Sequence, residues 1–385
     1  MFYQGMKRIL AILQDIYPQQ RSEIKHCYNI AKKISYNVTK EIDADFKLYA
    51  QNAISELNKD VFDKRKAELI SCVRKVGFWG IGDSIANWVK KIDSPSKFLS
   101  IFDDLGANLA KTIEKKNDKL FKSKYINAYA EKNKERLSKS LFNLRLAFYK
   151  FITPPTTNPK VKEIEDTIKK LGVEEVLLGN DEKNAKMIYD SLKIILAHNG
   201  KLPTKILVPL FPESVLSSAV GITDAPSDKF SAILIAPSNS PLMTEKFKNT
   251  IETRLKQLPD YNKLSENLKQ ITKHFLFIPY FSTKDARRII LHELGHINDS
   301  FNYPILRIQD LSQEDKLTIK NLTGYLKSDN ILSEVFAELY AKLNAEGLYS
   351  LTNAEYNLLC RICNGDFNKT KPQKCTNWFK KFFNF

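Results

Sequence analysis

The chain has 385 residues, 43% of them hydrophobic and 27% charged, and a formal net charge of +16. That length leaves room for two domains and a substantial core, and the composition is that of a soluble globular protein rather than a disordered or fibrous one. The longest apolar runs, such as residues 275–281, are far too short to span a bilayer, and five widely spaced cysteines do not read as a disulfide framework.

At the N-terminus Lys7 and Arg8 precede only a short mixed stretch broken by Asp15, so no cleavable secretory signal is read. This points to a cytoplasmic protein, or to one exported by a route that needs no such signal. Residues 1–150 hold 29 Lys and Arg against 17 Asp and Glu, whereas the remainder holds 31 against 27. A field of this sign can steer a protein to nucleic acid, an anionic membrane or an acidic partner. It can equally be a solvated lysine-rich surface, and no arginine-rich or aromatic-interleaved motif chooses between the two. Apolar residues at three- and four-residue spacing predict helices over Met6–Tyr17, Ser22–Lys33, Glu41–Leu57 and Val61–Val76, with a long final helix over Lys124–Ile152. The glycine-rich break Gly77–Ser84 reads as a turn, with Trp79 and Trp88 in the core. No strand precedes it, and no lysine sits where a phosphate-binding loop would need one.

Thr153–Pro159 contains three prolines, which stop the preceding helix and mark a boundary. Residues 1–152 are therefore expected to form a basic helical domain, 153–159 a Pro-rich linker, and 160–385 a second domain. In that second part, helices are predicted over Lys160–Leu171, Asp181–His198 and Thr244–Leu258, and strands over Lys205–Leu210, Phe230–Ala236 and His274–Phe281. The class is α+β: a helical bundle followed by a layer with a small mixed sheet packed on the helix described next. An edge strand of that sheet would suit an extended protein or peptide substrate by strand addition.

The stretch Arg287–Asp299 carries the chemistry. His292-Glu293-Leu294-Gly295-His296 sets two histidines four residues apart, on one face of a helix whose other positions (Ile289, Ile290, Leu294, Ile297) are apolar. Ser282 and Asp285 resemble a cap for that helix. Two imidazoles so placed can bind one zinc ion, and the glutamate after the first can take a proton from water. A catalytic zinc needs a third protein ligand. Asp299 and Asn302 stand where the extended metzincin pattern needs glycine and histidine, and no histidine follows His296. The third ligand is then a carboxylate. Ser333–Leu339 lies on the next helical pattern, where Glu334 and Glu338 share a face and either can look across at the histidines. Asp299, one turn beyond His296, can accept an imidazole N–H. The isolated His26, His198 and His274 read as ordinary surface or hydrogen-bonded histidines.

With an aspartate three places after His-Glu-Leu-Gly-His, a tyrosine well downstream and then Glu-x-x-Ala-Glu, the chain resembles the catalytic domain of anthrax-lethal-factor-like metallopeptidases, a group that includes the Pro-Pro endopeptidases. The resemblance covers Lys273 to Leu343. It implies a gluzincin endopeptidase, a toxin or effector in type, with one zinc on His292, His296 and Glu334. Glu293 is implied as general base, Tyr325 as the group that helps hold the oxyanion, and Glu338 as the family's second glutamate. The sequence also resembles the ImmA/IrrE-like regulatory peptidases, which share the helix motif and a downstream glutamate near Phe-Ala. A zincin-fold binding or adaptor protein with little turnover is the alternative of a different class, and the glutamate at 293 argues against it. Cys360-Arg-Ile-Cys363 with Cys375 falls one ligand short of a structural zinc site. The tail Trp378–Phe385 mixes aromatics with lysines, a composition that suits either a membrane interface or docking on its own domain.

Overall fold

A computed structural model describes residues 16–35, 58–76, 153–209, 221–227, 230–236, 245–277, 286–299, 311–322 and 331–364, with single positions at 10, 13, 14, 37 and 38, 86–94 in part, and 139–150 in part. The expected helix over Glu41–Leu57, the turn at Gly77–Ser84, the cap at Ser282 and Asp285, Tyr325, Cys375 and the aromatic tail lie outside these residues.

Before residue 153, positions 21–35 and α1 (Lys59–Val76) are helical, as are the described positions between 139 and 150. The chain then runs without regular secondary structure from Thr153 to Asn158. Asn180 clamps this segment, its Oδ1 accepting from the backbone N–H of Thr157 at 2.7 Å and of Asn158 at 3.0 Å. Asn158 in turn caps α2 (Pro159–Lys170) by accepting from Lys160 N, with Pro159 at the first turn where its missing N–H costs nothing. Strand β1 (Glu175–Leu177) leads to α3 (Glu182–Ala197), capped by Asp181 accepting from Asn184 N. Strands β2 (Lys205–Leu207), β3 (Gly221–Ser227) and β4 (Phe230–Ile235) follow. The sheet order is β1-β2-β4-β3, parallel except for the antiparallel pairing of β3 with β4. The molecule is thus α+β, with a small mixed sheet among many helices. All six residues of β4 are buried, as a central strand covered on both faces requires.

Beyond the sheet come α4 (Glu245–Lys256), the single turn α5 (Pro259–Asn262), α6 (Glu266–Phe277), α7 (Ala286–Asn298), α8 (Gln313–Leu322), α9 (Ile331–Glu346) and α10 (Asn353–Asn364). The strand expected over His274–Phe281 is corrected: residues to Phe277 belong to α6. Ile271, Thr272, Phe275 and Leu276 are buried positions spaced by three and four, so residues 274–277 lie on a helix and not a strand; residues 278–281 lie outside the described residues. Among the described residues no helix is long and apolar enough to cross a membrane.

Helix α7 runs between two cores. On one side Ile290, Leu291, Leu294 and Ile297 join residues of α2, α3, the sheet, α8, α9 and α10. On the other, Ile289 joins Leu13, Ile24, Cys27, Tyr28 and Ile34 from the N-terminal part, together with Ile251, Ile271 and Phe275. The N-terminal helices therefore share a core with α4, α6 and α7. Tyr28 packs edge-on against Phe275, ring centroids 5.7 Å apart, and Cys27 Sγ donates to Leu268 O. Each aliphatic side chain fully buried in these cores contributes roughly 1.5–3 kcal/mol. The cysteine reading also changes in one respect: Cys360 is disulfide-bonded, while Cys27, Cys72 and Cys363 are free.

Candidate metal centre

The site is made where α7 crosses α9, the most extensive contact between two helices among the described residues. The close approach depends on Gly295. A Cβ there would lie 2.9 Å from Ala337 Cα and 3.2 Å from Ala337 Cβ, so a glycine on one helix and an alanine on the other let the backbones meet. Ala337 sits one turn after Glu334 and directly before Glu338. Bringing it against Gly295 therefore delivers both glutamates to the histidines on either side of that glycine.

Both helices are also pinned at their far ends to one loop. Helix α3 ends at His198, Asn199 takes a left-handed turn (φ 54°), and Gly200 and Lys201 lead to β2. Asn298, buried at the end of α7, accepts from Lys201 N at 2.6 Å and donates to Lys201 O at 3.1 Å and Leu294 O at 2.8 Å. His198 Nδ1 lies 2.7 Å from Asn344 Oδ1 on α9. His198 is thus hydrogen-bonded away from the centre, while His26 is exposed. These polar clamps fix the axial positions of α7 and α9, which apolar packing alone holds less specifically.

At the crossing, His292 Nε2 and His296 Nε2 are 3.1 Å apart, and Glu334 Oε2 is 3.4 Å from the first and 3.5 Å from the second. Zinc bonds of about 2.0–2.1 Å at tetrahedral angles separate ligand atoms by roughly 3.3–3.4 Å. The triangle matches that spacing on all three edges, and it is the one group of this kind among the described residues. Three lone pairs aimed at one point repel unless a cation or proton lies between them. Such a donor set fits a zinc ion.

The outer sides of the ligands are supported. Glu338, fully buried, has Oε1 3.2 Å from His292 Nδ1, at ion-pair distance though not aligned as a hydrogen bond. Arg288 approaches its other oxygen at 3.9 Å and Glu346 at 3.5 Å. The negative charge beside Nδ1 keeps a proton on that nitrogen and leaves Nε2 as the donor. His296 Nδ1 is 3.2 Å from Ser333 Oγ, whose hydroxyl donates to Asp299 Oδ2 at 2.6 Å. Asp299 thus reaches the imidazole through Ser333 rather than directly. Sequence reasoning missed Ser333, because a lone hydroxyl carries no pattern of its own.

The electrostatics match this arrangement. Burial pushes the His292 imidazole down, but Glu338 and Glu334 outweigh it and hold the ring well above its ordinary value of 6.5. Burial pushes Glu334 up, and hydrogen bonding to His292 and His296 overrides it, leaving the carboxyl well below the usual range. No family model, curated protein or solved structure matches this chain, so these contacts stand on their own.

Glu293 is the fourth polar group. It is 6% exposed, and burial raises its carboxyl above the ordinary 4.5, offset in part by the two imidazoles. Its side-chain partner is Thr223 of β3, whose hydroxyl lies 2.7 Å from Oε2 and 2.8 Å from the Glu293 carbonyl oxygen. Thr223 was also missed. It precedes the motif by 70 residues, in a segment whose Pro226 and Asp224 read as a loop.

Proposed function

We propose that the chain is a zinc-dependent metalloendopeptidase. The observation that carries this reading is the convergence of His292, His296 and Glu334 at tetrahedral spacing, with the buried Glu293 on the turn between the histidines. Three protein donors leave one coordination position for water, which is what separates a catalytic zinc site from a closed structural one. Zinc bound there supplies Lewis acidity toward water and a peptide carbonyl.

The remaining work falls to the chain's own groups. Glu293 accepts the proton of the attacking water and returns it to the nitrogen of the leaving amine. Burial raises the affinity of this carboxylate for protons, which is the direction a general base needs. Glu338 and the Ser333–Asp299 pair hold the two rings in the tautomer that turns Nε2 inward. Tyr325, outside the described residues, takes its role as oxyanion donor from the resemblance to anthrax-lethal-factor-like peptidases alone. That resemblance also gives the reading its toxin or effector character. An edge strand beside the base suits an extended peptide substrate. The charge carried by residues 1–150 adds salt-sensitive contact with an anionic membrane or nucleic acid, and binding that is equal at low and high ionic strength removes that element.

The test is metal analysis of the purified protein together with mass spectrometry of products from a proteome-derived peptide library. One zinc per chain and a defined cleavage pattern are expected. Glu293→Gln should keep the zinc and lose on the order of 10²–10⁴ in rate. A zinc-loaded chain that cleaves nothing would reject the peptidase reading in favour of a binding or ImmA/IrrE-like regulatory role.

A further inference from the structure

We infer that Thr223 is a positioning residue for Glu293, holding one carboxylate oxygen so that the other is presented to water. This rests on the peptidase reading above and deepens it. The geometry is specific. Thr223 stands on β3, one of the two edge strands of the described sheet, in register with Ile233 of β4, and its single hydroxyl lies within hydrogen-bond distance of both Oε2 and the backbone carbonyl oxygen of Glu293. The two acceptors belong to one residue, so the contact fixes the side chain relative to its own backbone as well as to the sheet.

Two further facts make the contact more than packing. Glu293 is buried, and among the described residues Thr223 is the side chain that hydrogen-bonds its carboxylate; a buried carboxylate without such a partner would swing toward the nearest donor or cation. Glu293 lies on the helical turn between two groups of the metal triangle, so an untethered carboxylate would turn toward that centre and lose its pose toward water. The tether also comes from the strand nearest α7, so a peptide that orders β3 would order the base with it. Valine at 223 keeps the branched shape and β propensity but removes the donor, and serine keeps the donor without the methyl group.

The experiment compares wild type, Thr223→Val and Thr223→Ser on one peptide substrate, with zinc content and Tm measured beside kcat and KM. Loss of one aligned hydrogen bond should lower kcat about tenfold in Thr223→Val, with KM within about twofold and zinc unchanged. Thr223→Ser should recover kcat to within about threefold of wild type. Unchanged kcat in Thr223→Val would overturn the proposal. So would parallel losses of kcat and Tm in both variants, which would make Thr223 a packing residue. If the wild type cleaves nothing, the peptidase reading fails separately. The tether is then read by isotope-edited infrared spectroscopy, from the carboxylate band that disappears in Glu293→Gln. That band should shift in Thr223→Val and stay in Thr223→Ser, and a band unmoved in both sinks the tether itself.

Discussion

Where Lys150 meets the sheet, charges alternate. Its Nζ is 2.6 Å from Glu68 Oε1 and 2.6 Å from Glu175 Oε1, and Lys205 adds a second cation to Glu175 at 3.1 Å. Where α7 crosses α9, two imidazoles and a carboxylate converge with their facing atoms 3.1–3.5 Å apart, all three of them groups that can ligate a metal. Both clusters are partly or wholly buried and both are built across several elements, yet the first pairs fixed ammonium groups with carboxylates and the second gathers possible metal ligands. A buried charge must be compensated; if side chains do not do it, a proton or metal must. The contrast separates a structural ion network from a candidate site without reference to any motif, and each prediction below breaks or sharpens it.

The largest effect should come from removing donors of the triangle. His292→Ala or His296→Ala should abolish stoichiometric zinc, measured by metal analysis after dialysis. Glu334→Ala should weaken zinc far more than Glu338→Ala, because loss of a supporting partner costs only about 10–100-fold in affinity. The reverse order would make Glu338 the ligand and Glu334 its support. Next in size is the crossing itself. Gly295→Ala forces a methyl group into Ala337, so it should cost about 1–3 kcal/mol in stability and lower zinc affinity as the helices separate. Full stability with full zinc would show that the helices reach the site by another contact.

Titration sharpens the comparison. His292 has a raised folded value, so in metal-free protein its stabilisation is complete below 6.5 and is lost as pH rises through the folded value; the raised Glu293 has the same sign. Glu334 is lowered, so its contribution is present above 4.5 and is lost as pH falls. Metal-free protein should therefore lose stability as pH climbs above about 6.5. Zinc-loaded protein should not, because the metal needs deprotonated ligands. The stabilisation by zinc, read as the Tm difference with and without chelator, should grow from pH 5 to pH 8. A constant difference would mean that no proton competes for the site.

How much of this was legible in the sequence follows from separation along the chain. The two histidines are four residues apart on one helix with Glu293 between them, so spacing alone brings them together. Glu334 and Glu338 were visible as a pair because their helix has its own apolar period and no histidine remained to serve as third ligand; the choice of Glu334 between them came from the resemblance alone. Thr223 and Ser333 were not visible, since a lone hydroxyl carries no pattern and its partner is set by tertiary packing. The strand expected over His274–Phe281 failed over residues 274–277 because a short run of aromatics fits a helix face and a strand equally well; there Phe275 packs against Tyr28 from a helix. Strands β1 and β3 were missed because one is three residues long and the other contains Pro226, which an edge position tolerates and a central one does not. The interlocked N-terminal core was equally hidden: nothing in residues 13–38 announces that their partners lie beyond residue 235.

The smallest effect tests the ammonium–carboxylate cluster. Burial pushes the Lys150 ammonium down, but Glu175 and Glu68 outweigh it and leave it raised above 10.5; burial pushes Glu175 up, and Lys150 and Lys205 bring it below 4.5. By the same sign argument, Glu175 loses its contribution only as pH falls below 4.5 and Lys150 only as pH rises beyond 10.5, so the network is silent across the range in which the metal site titrates. Lys150→Met removes the ammonium and keeps the aliphatic stem. Glu68 is 43% exposed and can be hydrated, and Glu175 retains Lys205, so neither carboxylate is stranded. The loss should be about 1 kcal/mol or less, with zinc content unchanged and the pH dependence of Tm between 5 and 8 identical to that of wild type. A change in that pH dependence would mean that the two clusters are electrostatically coupled, and the metal site would then have to be treated as one part of a larger charge network.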